Sequence, residues 1–264
     1  RQRRRTQPDA MSSTSTPDLR AQLSECDAFA ARWRPRFPIL AQELPGGVLQ
    51  INIVVDGIIA SWPSIFGPTI FGMPYPLAEG AMTAVTNAAR IYEFPLGVFG
   101  ISIATAIFPQ LARQSNDPSA FAATVRRGLR LTLFIGLPAS VGLMLVAREA
   151  VGVLFQRGAF GANDTTRVAW VLLGFAPAIW AYQSIHIFTR AFYAMKKPLT
   201  PVKIAVAMVV LNFALNIALI FTPLREAGLA WATSICAILQ AIILARALAG
   251  EVRGIVDREV FASF

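Results

Sequence analysis

Charged residues make up only 15% of this 264-residue chain, histidine occurs once and cysteine twice. Each shortage excludes something. A soluble domain ordinarily carries about a quarter Asp, Glu, Lys and Arg, so water is not the main solvent of this chain. One histidine and two distant cysteines, Cys26 and Cys236, offer too few ligands for a zinc site and no disulfide framework. The HExxH, GxSxG and GxxxxGK[ST] patterns are all missing, which leaves no sign of metalloprotease, hydrolase or nucleotide chemistry. An enzyme acting on polyprenyl lipids would need paired carboxylates at one membrane face, and no spacing singles such a pair out.

What the chain has is apolar surface. Hydrophobic residues reach 55% and the mean hydropathy is +0.54. They fall in runs of the length that crosses a hydrocarbon core of roughly 30 Å as a helix. Six spans are predicted, at about Pro45 to Phe66, Glu79 to Leu111, Leu129 to Val146, Thr166 to Met195, Thr200 to Phe221 and Ala227 to Leu248. The fold class is therefore all-α, a polytopic transmembrane helix bundle. Pro95 interrupts the second span, Pro138 lies in the third and Pro177 in the fourth, which is where helices bend around cavities. Thr200 and Pro201 read as the N-cap and first residue of the fifth helix. A short amphipathic piece, AREAVGVLFQRGAF, follows the third span.

Residues 1–44 are basic, polar and rich in Ser, Thr and Pro, and are expected to be disordered, with 45–250 as the membrane lobe and 251–264 as a tail. No apolar h-region marks a signal peptide. Beside membrane spans, Arg3, Arg4 and Arg5 read as attraction to anionic lipid headgroups rather than nucleic-acid binding. Lys and Arg concentrate on one side: Arg32, Arg34 and Arg36; Arg113, Arg126, Arg127 and Arg130 in a loop; Arg190, Lys196, Lys197 and Lys203; Arg246, Arg253 and Arg258. The other side receives Arg148, Arg157, Arg167 and Arg225. By the positive-inside rule both termini are cytoplasmic.

Ionisable groups at membrane depth are the informative residues, since each costs about 2.5–3.5 kcal/mol on insertion scales unless paired or hydrated. Asp56 and Arg90 stand out. Two readings stay open: they pair with each other or with Glu93, or they line a hydrated cavity where Arg90 meets an anionic headgroup. Asn212 and Asn216, one turn apart, either converge on a cation or hydrogen-bond a neighbouring helix. His186, between two isoleucines, reads as a packing residue.

The ordered stretches QINIVVDGIIAS from Gln50, NAARIYEFPLGVFGISIATAIFPQLAR from Asn87, GLRLTLFIGLPASVGLMLV, VGVLFQRGAF, TRAFYAMKKPLTPVKIAV and AGLAWATSI resemble the MurJ/MviN lipid II flippases of the MOP exporter superfamily. The resemblance runs from about Pro45 to Gly250 and matches helices seven to twelve of about fourteen. It implies transport of lipid II, the undecaprenyl-linked peptidoglycan precursor, across the bacterial cytoplasmic membrane by alternating access, in partnership with membrane lipids and the cell-wall synthesis machinery. Arg90 falls on the family's cavity arginine, with Glu93 beside it as a second substrate-binding candidate. Ala89 stands where many relatives have an acid. The resemblance also implies a sodium ion as the one cofactor, at Asp56, Asn212, Asn216, the backbone of Leu229, and Thr233, with Asn216 where the sodium-binding pattern has aspartate. Residues 1–44 hold nothing that matches the family's first lobe, so the expectation is an incomplete carrier that does not transport alone. The alternative is a non-transporting scaffold or partner-binding module of the same fold.

Overall fold

The computed structural model describes residues 54–252 apart from Pro68, Phe71 and Gly72. The expectations for residues 1–44, for Gln50 and Asn52, and for the tail after Val252 lie outside the described residues. Among the described residues five helices are long and apolar enough to cross a membrane, and a shorter apolar helix precedes them. We number them in chain order. Helix α1 is Val54–Ile65, the described part of the first predicted span. A two-residue hairpin follows, β1 Thr69–Ile70 against β2 Met73–Pro74, a small β element inside the all-α fold that the sequence reading lacked. The second span is α2 Ala81–Pro95, a π-helical turn Leu96–Ile101, and α3 Ser102–Arg113. Then come α4 Pro118–Leu145, the short α5 Ala147–Phe155, α6 Ala162–Phe175 with a 3₁₀ turn Ala176–Ala178 and α7 Ile179–Ala194, then α8 Leu199–Ile220 and α9 Glu226–Glu251.

Two predicted boundaries are corrected. The third span starts eleven residues early, because Asp117 caps α4 and Pro118 takes its first turn, where a missing N–H costs nothing. The Asp117 carboxylate accepts from the Ser119 hydroxyl at 2.7 Å and from the Ser119 and Ala120 N–H groups, which holds its carboxyl below the usual range. Arg126, Arg127 and Arg130 consequently sit on this helix and not in a loop. Thr200 is not an N-cap either: α8 begins at Leu199 after Pro198, and Pro201 lies in the first turn, where proline is tolerated.

The local sequence permits the π turn. Pro95 has no N–H to donate, and Gly97 and Gly100 add no bulk, so the α ladder is weak there. The turn also rescues the packing of the whole span. At about 100° per residue, the buried Ala81, Ala84, Ala88 and Tyr92 fill one arc of α2 roughly 80° wide. An unbroken α-helix would place the buried Ala104 and Leu111 of α3 well over 90° away from the middle of that arc. The extra residue of a π turn rotates α3 by about 100° and brings them back to it.

Apolar packing forms two main cores. One gathers Leu111, Phe121, Val125, Ile187, Phe192, Leu244 and Leu248. The other gathers Tyr92, Val151, Val168, Leu172, Phe175 and Ile179. Phe134, Leu145 and Val210 point outward, as lipid-facing residues do. Close helix contacts rest on small residues. A Cβ on Gly174 of α6 would lie 2.7 Å from Ala230 Cβ and 3.2 Å from the Ala227 carbonyl of α9. Gly174→Ala is expected to push α6 off α9, stretch the 2.5 Å bond from the Ser234 hydroxyl to the Gly174 carbonyl, and cost about 1–3 kcal/mol by overpacking. Thermal unfolding in detergent checks this, with Gly142→Ala as the control, since no atom lies within 4 Å of a Cβ there.

Candidate functional site

Helix α1 carries Asp56 into the bundle. Ile59 and Ala60 bury against Leu77, Ala81, Ile220 and Leu229, and the Tyr75 hydroxyl donates to the Ile59 carbonyl at 2.8 Å, tying the helix to the loop after the hairpin. Trp62 stacks on the Tyr75 ring at 5.9 Å. Asp56 thereby meets α8, where Asn216 Nδ2 donates to Asp56 Oδ1 at 2.5 Å and to Asn212 Oδ1 at 2.9 Å. Asn212 Nδ2 reaches Thr233 Oγ1 at 3.4 Å, and the Thr233 hydroxyl donates to the Leu229 carbonyl at 2.9 Å. The five residues implied for a cation thus form one hydrogen-bonded chain across α1, α8 and α9. Both asparagines are buried, and Asn216 Oδ1 is a buried acceptor with no hydrogen-bond partner.

Arg90 lies elsewhere. Among the described residues no ion pair joins it to Asp56 or Glu93, and its side chain is exposed, as is that of Glu93. The pairing of Asp56 with Arg90 that the sequence left open is therefore not what the fold makes. Nine residues after the start of α2, Arg90 is about 14 Å along the helix, close to half the depth of a hydrocarbon core.

Three further residues share its face, and sequence reasoning missed them. At about 100° per residue, Thr83, Thr86, Asn87, Arg90 and Glu93 fall in an arc of roughly 120°, on the side away from Ala84, Ala88 and Tyr92. None of the five is buried. The π turn carries the stripe on to the exposed Ser102 and Thr105 of α3. The signal was in the sequence, as polar residues at spacings of three and four within a membrane span. On α4 the outward face is Leu131, Phe134, Val141 and Leu145, and on α8 it is Val206, Val210, Phe213 and Ile217, apolar in both.

At the end of the bundle where α6 and α9 begin, Arg167 pairs with Glu226 and donates to the Glu79 and Ala78 carbonyls at 2.8 and 3.3 Å. This clamp fixes the entry of α2, and with it the direction in which the stripe points.

The described residues thus present a polar stripe on one span and an oxygen-rich cluster across three helices. The family model for the lipid II flippase MurJ matches residues 38–263. The chain belongs to the MurJ lipid II flippase family. Among curated relatives, it is 34% identical over 203 residues to a probable lipid II flippase MurJ of Vibrio cholerae, covering 76% of this chain and 36% of that protein. A probable lipid II flippase MurJ of Rhizobium tropici is 36% identical, with 76% and 35% covered. The chain thus spans little more than a third of these relatives. Among solved structures, MurJ in an inward closed conformation superposes with a TM-score of 0.64 at 27% identity, over 76% of this chain and 40% of that one. A MOP superfamily transporter from Pyrococcus furiosus gives 0.67 at 13% identity, over 83% of this chain and 45% of that one, a likeness of fold alone. The chain is an integral membrane protein with the fold of MOP superfamily transporters, and the family it belongs to is named for lipid II flippases.

Proposed function

We propose that this chain is one lobe of a carrier that moves lipid II from the inner to the outer leaflet of the bacterial cytoplasmic membrane by alternating access, in peptidoglycan synthesis. The stripe of Thr83, Thr86, Asn87, Arg90 and Glu93 on the outward face of α2 carries the reading. An uncovered guanidinium at mid-membrane depth is tolerated against water or a polar partner and not against acyl chains. The stripe therefore lines an aqueous cavity between this lobe and a second one, whether on the same chain or another. Arg90 binds the anionic headgroup through its planar donors, and Glu93 accepts from headgroup hydroxyls or amides. The basic ends of α3, α4 and α8 face the cytoplasm, as do both termini. A scaffold that merely holds partners would leave Arg90 paired and dry, an arrangement the exposed side chain argues against.

Sodium is the cofactor we assign to the Asp56 cluster. The donor set is a carboxylate, two amide oxygens, a hydroxyl and a backbone carbonyl, all hard oxygens and suited to a hard cation. The unpartnered Asn216 Oδ1 supports the fit, since a buried acceptor left unmade costs about 1–3 kcal/mol. Asp56, Asn212, Asn216, Leu229 and Thr233 would hold the ion, which would supply a positive charge against the single carboxylate. The rest of the cluster ties α1 to α8 and α9.

Hydration of the stripe is directly measurable. Single cysteines at Thr83 and Asn87, in a background lacking Cys26 and Cys236 within the full-length carrier, are expected to react with a membrane-impermeant maleimide in intact membranes. The rate should exceed that of a cysteine at Val210 at least tenfold. Equal rates at all three positions would sink the cavity.

A further inference from the structure

One glutamine sits where three of the spans meet. Gln183 of α7 is fully buried, and its Nε2 donates to the Pro95 carbonyl at 3.3 Å, at the start of the π turn. A Cβ on Gly100 in that turn would lie 2.8 Å from Gln183 Cγ, and one on Gly136 of α4 would lie 2.6 Å from Gln183 Oε1. Both glycines therefore leave room for this side chain. The surrounding layer is polar and underbonded: Gln183 Oε1 has no partner, nor have the hydroxyls of the buried Thr132 and Ser140, each one turn from Gly136 on α4. Pro138 and the 3₁₀ turn at Ala176–Ala178 lie close by in sequence to Gly136 and Gln183. The two main apolar cores lie on either side, one reaching Tyr92 and Ile179, the other starting at Ala104 and Ile187.

We propose that Gln183 is a positioning residue of the carrier: it holds the π turn that sets the rotational phase between the Arg90 half of the span and the Ser102–Arg113 half. The logic is local. A π turn is rare because it weakens its own ladder, so it persists where neighbours make up the bonds it leaves. Here the neighbour is the Gln183 amide. Without it the turn relaxes toward α-helix, and the two halves rotate against each other by about 100°. Either the polar stripe breaks at Ser102, or Ala104 and Leu111 leave the core. The consequence for transport rests on the function proposed above, whereas the rotational phase does not.

A spin-label accessibility scan of positions 81–113 in the full-length carrier, reconstituted in bilayers, reads the phase of each half without any lipid substrate. The wild type should show an offset of about 100° between the halves. Gln183→Met, which keeps the volume and loses the donor, should bring the offset below about 50°, and Gly136→Ala, which occupies the space of Oε1, should do the same. Thermal unfolding identifies a variant that is simply unstable, and the wild-type scan stands whichever variant folds. No offset in the wild type, or its persistence in both variants, overturns the proposal. Transport should fall at least tenfold in any folded variant that loses the offset. Normal transport with the offset lost overturns the positioning role, while the loss of all transport dependence on Arg90 would count only against the function proposed above.

Discussion

Arg90→Ala, placed in the full-length carrier, is expected to leave a flippase-depleted strain unable to grow, and Arg90→Lys is expected to restore little. The reason is geometric as much as electrostatic. Arg90 stands exposed on α2, about 14 Å along the helix from its start. Its guanidinium can grip two oxygens of one headgroup at once, whereas an ammonium offers a hydrated point charge. Removing one partner of a desolvated, hydrogen-bonded charge pair costs about 2–5 kcal/mol, which at about 1.4 kcal/mol per decade is roughly a 30-fold to several-thousand-fold loss. The fold should survive, because no ion pair or hydrogen bond of Arg90 holds the described structure together. Expression and thermal unfolding of the variant are therefore expected to match the parent, and growth at the parent's rate would remove Arg90 from the headgroup site.

Sodium is expected to raise the unfolding temperature of the parent protein, and Asn216→Leu is expected to abolish that rise. Asp56, Asn216, Asn212, Thr233 and Leu229 already form one hydrogen-bonded chain, with the Asn216 oxygen left over. An ion at ten times its dissociation constant stabilises the folded state by about 1.4 kcal/mol. For a chain of this size that is a shift of roughly 3–6 °C. Leucine keeps the branched shape of Asn216 but removes both the oxygen and the donor to Asp56. Asn216→Asp adds a second carboxylate, so it should make the parent less stable without sodium and enlarge the sodium shift, since two carboxylates crowded together are relieved by a cation. Equal protection by potassium or choline, or no shift in the parent, would take sodium out of the cluster and leave it as a helix-to-helix hydrogen-bond network.

Much of this architecture was legible in the chain. Apolar run length located the spans, since a helix must cover the hydrocarbon core with residues that need no water. The interruption at Pro95 was visible as well, because a residue without an N–H breaks a ladder wherever it falls. The ends of the helices were less legible. Asp117 and Pro118 start α4 well before its apolar run begins, so hydropathy placed three arginines in a loop that is in fact helical. Capping is a matter of two or three residues, and a hydropathy window averages over them.

The candidate site divides the same way. Asn212 and Asn216 belong together by sequence alone, because four residues make about one turn. That Asp56, 160 residues earlier, accepts from Asn216 required α1 to be laid against α8 and α9. The polar arc around Arg90 was present as a spacing of threes and fours, yet its meaning depended on which face of α2 the lobe buries. Ala84, Ala88 and Tyr92 took the inward face, and the polar side chains were left outside.

By itself the sequence determined the solvent of this protein, the approximate places of the five membrane-crossing helices among the described residues, and the family from whose motifs its flippase role is inferred. Those properties are additive along the chain, and composition and local order carry them. The tertiary structure alone decided that Arg90 and Asp56 stand in separate places, and that the Gln183 amide meets the Pro95 carbonyl where the two halves of the α2–α3 span join. Both follow from rotation of helices against one another, which depends on packing between residues far apart in the chain.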